Sequence, residues 1–164
     1  MDARNELHIA ITNLFTAPEQ CADGESTAVP DTTTLKNLDH ARNGADLEHH
    51  CLPEQLPAAA GILEGQGLML ESITAVDWIE QQEFEVFYDF IHTDVANYRV
   101  VLRCTISRIQ AELPSLCSVF PAANWHEREV FDFFGIHFNS HPDLTRILLP
   151  EDADFYPLRK DYMP

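Results

Sequence analysis

FEVFYDFIHTDVANYRVVLRCTISRI, residues 84–109, decides the fold. Phe84, Val86, Tyr88, Phe90 and His92 fall on one face of an extended chain, and Glu85, Phe87, Asp89, Ile91 and Thr93 on the other. Beyond a turn at Asp94 to Asn97, Tyr98, Val100, Leu102, Cys104 and Ile106 alternate with Arg99, Val101, Arg103, Thr105 and Ser107. Two alternating runs joined by so short a turn predict an antiparallel hairpin. Its polar face sets Glu85 and Asp89 against Arg99 and Arg103 as cross-strand charge pairs.

Upstream, LMLESITAVDW (68–78) reads as a third strand, with Leu68, Leu70, Ser72 and Thr74 alternating against Met69, Glu71, Ile73 and Ala75. LPEQLPAAAGILEGQG (52–67) predicts a helix with Pro57 in its first turn and Gly at its end. Near the start, Leu7, Ile11, Leu14 and Phe15 have helical spacing over residues 4–16, and Pro18 stops that helix. Residues 17–52 between them are rich in Pro, Thr, Ala and acids and lack periodicity, which predicts a long, partly disordered segment with one short helix. The domain division expected is therefore 1–52, an N-terminal helix and polar segment, and 53–164, the main domain.

Downstream, CSVFPAANWHEREVFDFFG (117–135) has Asn124 as an N-cap and Glu127 three residues on, the capping-box spacing. Val130, Phe131 and Phe134 give an apolar stripe and Gly135 a stop, so the helix is Trp125–Phe134. Ile136 to Phe138 predicts a short strand. The last stretch, HPDLTRILLPEDADFYPLRKDYMP (141–164), alternates charged with apolar and aromatic residues and reads as an extended arm over a surface. Extended arms with apolar and Arg anchors are a docking device. The expected class is α+β: an antiparallel or mixed sheet, helices packed on one face, and an extended C-terminal arm.

The chain carries 27 acidic and 10 basic residues, a net charge of -17. Such a protein repels nucleic acid and anionic membranes, and neither is an expected partner. The excess is spread along the chain: residues 1–71 hold 12 acids and 3 bases, residues 72–164 hold 15 and 7. No run of about 18 apolar residues offers a membrane span. MDARNELHIAITNLF lacks the basic start of a secretory signal. Cys21, Cys51, Cys104 and Cys117 include no C-x-x-C pair, the usual mark of an iron–sulfur or structural zinc site. Reduced cytoplasmic thiols are the expectation.

His126, Glu127, Arg128, Glu129 and Asp132 form the densest chemical cluster. A stand-alone hydrolase would use His126 with these carboxylates. On a helix, however, 126 and 127 do not share a face, and Arg128 with Asp132 is an i,i+4 ion pair. A metal-binding regulatory module would use His40, His49, His50 and Cys51, whose spacing matches no zinc motif. Neither nucleotide cradle nor nucleophile elbow is present.

NWHEREVFDFFGIHF (124–138), HPDLTRILLPED (141–152) and PLRKDY (157–162) together resemble the signature of the 30-kDa, or C-type, subunit family of NADH:quinone oxidoreductase (respiratory complex I). The same module occurs in energy-converting membrane-bound nickel–iron hydrogenases of the carbon-monoxide-induced and formate-hydrogenlyase types. The resemblance covers roughly residues 68–162. It implies a non-catalytic subunit of the hydrophilic arm, at the cytoplasmic face of a bacterial inner membrane, with no cofactor of its own. Iron–sulfur clusters, flavin or a nickel–iron site would belong to partners, namely the large catalytic subunit (the D-type subunit of complex I or its hydrogenase counterpart) and a neighbouring iron–sulfur subunit. The motif assigns Glu127, Arg128, Glu129, Asp132, His141, Pro142, Arg146, Arg159, Lys160 and Asp161 to the partner interface. Thr145 stands where the family commonly has Arg. The short form and the unusual N-terminal segment lean the expectation towards the hydrogenase branch.

Overall fold

Two tight reversals lay the three long strands side by side. In the computed structural model, which describes residues 2–16, 34–95 and 97–164, β3 (Leu68–Trp78), β4 (Glu83–His92) and β5 (Tyr98–Ser107) form an antiparallel meander. Gln82 and Asn97 supply the positive φ values, 58° and 55°, that such turns demand. At the second turn the His92 ring nitrogen Nδ1 accepts the N–H groups of Asp94 and Val95.

The hairpin follows the sequence. Phe84, Val86, Tyr88 and Phe90 of β4, and Tyr98, Val100, Leu102 and Cys104 of β5, are fully buried. Fully burying one such large side chain stabilises the fold by about 1.5–3 kcal/mol, so this double row is the main cohesive element. The other face is polar. Arg103 pairs with Glu85 at 3.0 Å, as the sequence predicts, but Arg99 reaches Glu71 of β3 and Asp89 accepts instead from Ser72 at 3.1 Å.

Strand β3 departs from strict alternation. A bulge between Leu70 and Ser72 shifts the register. Leu68 and Leu70 point inward before it, Ile73 and Asp77 after it. One extra residue reverses which side chains face the core, so Ile73 lies inside and not beside Glu71.

The segment expected to be a polar loop builds part of the sheet. β1 (Thr34–Asn37) pairs antiparallel with β2 (Leu47–His50), and β2 runs parallel to β5, giving the order β1-β2-β5-β4-β3. The short helix expected there is α2 (His40–Asn43), capped by Asp39 and ended by Gly44 at φ 73°. A domain boundary at residue 53 would therefore divide a single sheet. Residues 17–33, with Pro18 and Cys21, lie outside the described residues. Leu47 buries fully, and His49 is 8% exposed and stacked on Phe15 at 4.4 Å.

Helices cover the apolar face. α1 (Ala3–Thr16) sends Ile11 into the core. A short 3-10 turn (Pro53–Gln55) leads into α3 (Leu56–Gly65), which contributes Leu56, Ala59, Ala60 and Leu63. α4 (Ala123–Phe134) packs on β3 with Ala123, Val130 and Phe134 in the same core. A small parallel pair, β6 (Glu112–Pro114) and β7 (His137–Asn139), brackets α4. Residues 140–164 follow as an arm without helix or strand. The class is α+β with a mixed sheet.

Candidate partner-docking surface

α4 starts differently from the capping expectation. Its N-cap is Ala122, so Asn124 is already helical and Glu127 lies too deep to close a capping box. The helix grows out of the preceding turn, where the Ala123 N–H donates to Phe120 O at 2.9 Å. Glu127 is fully buried and faces the loop after β6. The Ser115 hydroxyl and the Leu116 N–H both donate to its carboxylate at 2.6 Å. Burial raises its pKa, against the lowering effect of these bonds.

Asp132, one and a half turns on, is also fully buried but in a different setting. Three successive N–H groups of the arm, from Ile147, Leu148 and Leu149, point at its Oδ2 at 3.1, 2.7 and 2.9 Å. They form a backbone nest for the anion. Arg146 Nη1 pairs with Oδ1 at 2.7 Å. Burial opposes ionisation here, but the amides and the guanidinium outweigh it and hold the carboxyl below its usual range. The i,i+4 pair expected between Arg128 and Asp132 does not form. Arg128 crosses to the arm, donating to Thr145 O and Oγ1 at 3.0 Å each and to Arg146 O at 3.2 Å, while its guanidinium lies over Trp125.

The helix ends as the sequence predicts. Gly135 adopts φ 71°, and a Cβ there would lie 2.6 Å from both Arg159 Nη2 and the Tyr156 ring. The arm is thus pressed on the bare backbone. Arg159 donates to Phe134 O at 2.6 Å and sits between the Tyr156 and Phe84 rings, 4.5 and 5.3 Å from their centroids. The Lys160 N–H donates to Asp77 at 2.7 Å. Arg108 bridges Asp77 of β3 and Asp161 of the arm at 2.7 and 2.8 Å.

Of the residues the motif assigns to the interface, Glu127 and Asp132 are internal in the chain, with their carboxylates engaged by its own donors. Arg146, with 10% of its side chain exposed, and Arg159 are likewise spent within the domain. Asp161 is exposed but engaged with Arg108, which holds its carboxyl low. Glu129, Pro142 and the Lys160 side chain face solvent. The outer rim carries large apolar groups as well: Trp125 and Leu148 are each 62% exposed, Leu158 51% and Met163 87%. Leu158 also joins Ile73, Val130 and Phe133 around a cleft of about 150 Å³ between β3 and α4. Sequence patterning did not single out Asp77 and Arg108. The usable signal was an Asp in the apolar run TAVDW.

Cys117, Glu127 and His141 bring three ligand-type atoms within 4.8 Å of one another. The tautomer of His141 opposes a metal there. Its Nδ1 accepts the Asp143 N–H at 3.0 Å, so the proton is on Nε2, which donates to Asn124 O at 3.2 Å. Nε2 is the atom nearer Glu127, at 3.9 Å, and its lone pair is occupied. The four metal candidates of the N-terminal third diverge: His40 contacts Asp46, His49 stacks on Phe15, His50 meets Thr105 and Cys51 meets Cys104. A hydrolytic site is no better formed, because Glu127 and Asp132 turn to separate internal partners. No described helix is long and apolar enough to cross a membrane.

Known proteins resemble this chain in both sequence and fold. The NADH-quinone oxidoreductase C-type subunit of Roseiflexus castenholzii is 41% identical over 122 residues, 71% of this chain and 69% of that one. The fused C/D protein of the same kind of enzyme from Aeromonas salmonicida is 48% identical over 86 residues, 52% of this chain but 14% of its own length. In fold, a chain of the membrane-bound sulfane sulfur reductase, an archaeal respiratory membrane complex, superposes with a TM-score of 0.74 at 24% identity, covering 97% of this chain and 86% of that one. A trypsin-resistant fragment of Nqo5 superposes with a TM-score of 0.58 at 24% identity, covering 68% and 89%. The family model of the respiratory-chain NADH dehydrogenase 30 Kd subunit matches residues 49–164, and the chain belongs to that family.

Proposed function

We propose that the chain is a non-catalytic structural subunit in the hydrophilic arm of a membrane-bound NADH:quinone oxidoreductase-type complex. It docks on the large catalytic, D-type subunit and holds no cofactor; clusters and flavin belong to its partners. The carrying observation is the division of labour in residues 123–164. Arg128, Asp132, Arg146 and Arg159 of the charged motif are consumed in fixing the arm to α4, while Trp125, Leu148, Leu158 and Met163 stand exposed on the outside. Exposed aromatic and aliphatic anchors on a rigid scaffold fit a protein partner.

The fused C/D relatives support the choice of partner, because a C-type module and a D-type module joined in one chain are held together by covalent linkage. The relatives' names favour the NADH–quinone branch over the hydrogenase branch towards which the sequence leaned. Attachment to the cytoplasmic face of the membrane would then come through the complex, with the neighbouring iron–sulfur subunit as a second contact.

Affinity capture of the tagged chain from gently solubilised native membranes tests this reading. Recovery of a D-type subunit, together with NADH-oxidising activity absent from the chain alone, is the expected result. Capture of nickel-maturation products and a hydrogenase large subunit moves the protein to the other branch. Recovery of no large redox subunit ends the proposal.

A further inference from the structure

Two thiols meet in the core where β2 leaves the sheet. Cys51 follows His50, the last residue of β2, and Cys104 lies within β5. The strands run parallel with His50 opposite Arg103, and the Cys51 N–H donates to Arg103 O at 3.0 Å. That register carries Cys51 to the side of Cys104. The two Sγ atoms are 3.4 Å apart, both thiols are free, and their residues are 2% and 0% exposed. Adjacent strands are separated by about 4.8 Å, inside the range of about 4.4–6.8 Å that a disulfide spans between Cα atoms.

Cys117 provides the contrast. It is half-buried, and its sulfur donates to Glu127 at 3.6 Å and meets no second sulfur among the described residues. Cys51 and Cys104 are the described cysteines whose sulfurs touch. Its hydrogen bond to Cys51 and its burial push the Cys104 thiol up, so Cys104 resists alkylation while the pair is closed. The flank beside the pair is short: β2 is four residues long and is bordered by the equally short β1.

We infer that Cys51 and Cys104 form an oxidisable dithiol site that takes a small-molecule disulfide as its oxidant and closes to a cross-strand disulfide. In the first step one cysteine, deprotonated while the flank is open, attacks the oxidant. A protein–small-molecule S–S bond forms, the oxidant's S–S bond breaks, and one thiol leaves. In the second step the other cysteine loses its proton and attacks the protein sulfur of that mixed disulfide, releasing the second small thiol. Two protein thiols are oxidised by two electrons, and one external disulfide is reduced to two thiols. The bond staples the β1–β2 flank, and the His49 platform on which Phe15 stacks, to the central hairpin. The unfolded chain is then closed over residues 51–104, which raises thermal stability.

The test uses the full chain and glutathione disulfide at pH 8, followed by denaturation, alkylation of remaining thiols and peptide mass mapping. The Cys51 and Cys104 peptides should appear joined and two hydrogens lighter, and dithiothreitol should separate them. The oxidised chain should melt on the order of 5–10 °C higher. Cys51→Ala should abolish the link and leave Cys117 labelling unchanged. Should that variant fail to fold, the map of the unmodified chain decides by itself. Recovery of Cys51 and Cys104 as free alkylated thiols while Cys117 carries glutathione overturns the inference. So does a link to Cys117 or Cys21, or one that forms only in urea.

Discussion

The inner and outer sides of residues 123–164 solve opposite problems with neighbouring side chains. Inside, Asp132 is buried and Arg146 and Arg159 are half-buried, and each bonds main-chain groups of another segment. Outside, Trp125, Leu148 and Leu158 present apolar area to solvent. Leu148 belongs to both sides: its N–H closes the nest on Asp132 while its side chain points away. Much of this dense charged motif is therefore a fastening for the chain's own arm, and the exposed apolar side chains lie between the charges. Ion pairs suit the inner task because fixed donors satisfy the buried oxygens there, whereas an exposed pair contributes little.

The contrast breaks most directly at Asp132. Asp132→Ala leaves Arg146 without its anion and three amides without an acceptor. Removing one partner of a buried pair costs about 3–5 kcal/mol, and urea unfolding of the chain alone should register that loss. A loss below about 1 kcal/mol would mean that the arm is a loose tether. Gly135→Ala comes next. The φ of 71° and the 2.6 Å approach to Arg159 and Tyr156 leave no room for a methyl group. A loss of about 2 kcal/mol is expected, with faster proteolysis of the arm. An unchanged arm would show that Arg159 and Tyr156 yield cheaply.

The hairpin was legible because alternation over ten residues is a local signal, whereas of its polar partners only Arg103 with Glu85 was. β1 and β2 were not, since four-residue strands in a polar segment have no period of their own. Their pairing is set by β5, some fifty residues away. The bulge at Glu71 was equally silent, because Leu70 and Ile73 are consistent with either phase until β4 fixes the register. Glu127 was misread for a chemical reason: a carboxylate near a helix start accepts N–H groups whether it caps its own helix or, as here, ties down the loop at Ser115 and Leu116. The resemblance singled out this segment without dividing its residues between inside and outside, a division that depends on how the arm folds back.

A third test separates the two buried carboxylates of α4. Asp132 has a depressed pKa, so its contribution is present above the ordinary value of 3.8 and is lost as pH falls through its folded value. Glu127 has a raised pKa through burial, so its contribution is full below the ordinary value of 4.5 and declines as pH rises through its folded value. Glu127→Gln should remove the decline that sets in above pH 4.5 and leave the acid-side loss intact. Denaturant midpoints measured from acid to neutral pH follow both. A variant that keeps the neutral-side slope would assign that slope to another group.

The smallest expected effect on the fold carries the sharpest consequence for function. Trp125→Ala and Leu158→Ser remove side chains that are 62% and 51% exposed, and each should change the stability of the isolated chain by less than about 0.5 kcal/mol. At a docking centre the same truncations cost about 2 kcal/mol or more. Recovery of the D-type partner should therefore fall at least about tenfold while the melting curve stays put. Asp132→Ala should do the reverse in kind, lowering recovery only in proportion to the fraction unfolded. If the rim variants bind normally and Glu129→Ala or Lys160→Ala does not, the partner reads the exposed charges and not the apolar rim. The inner fastening would remain as described, and only the outer half of the contrast would change.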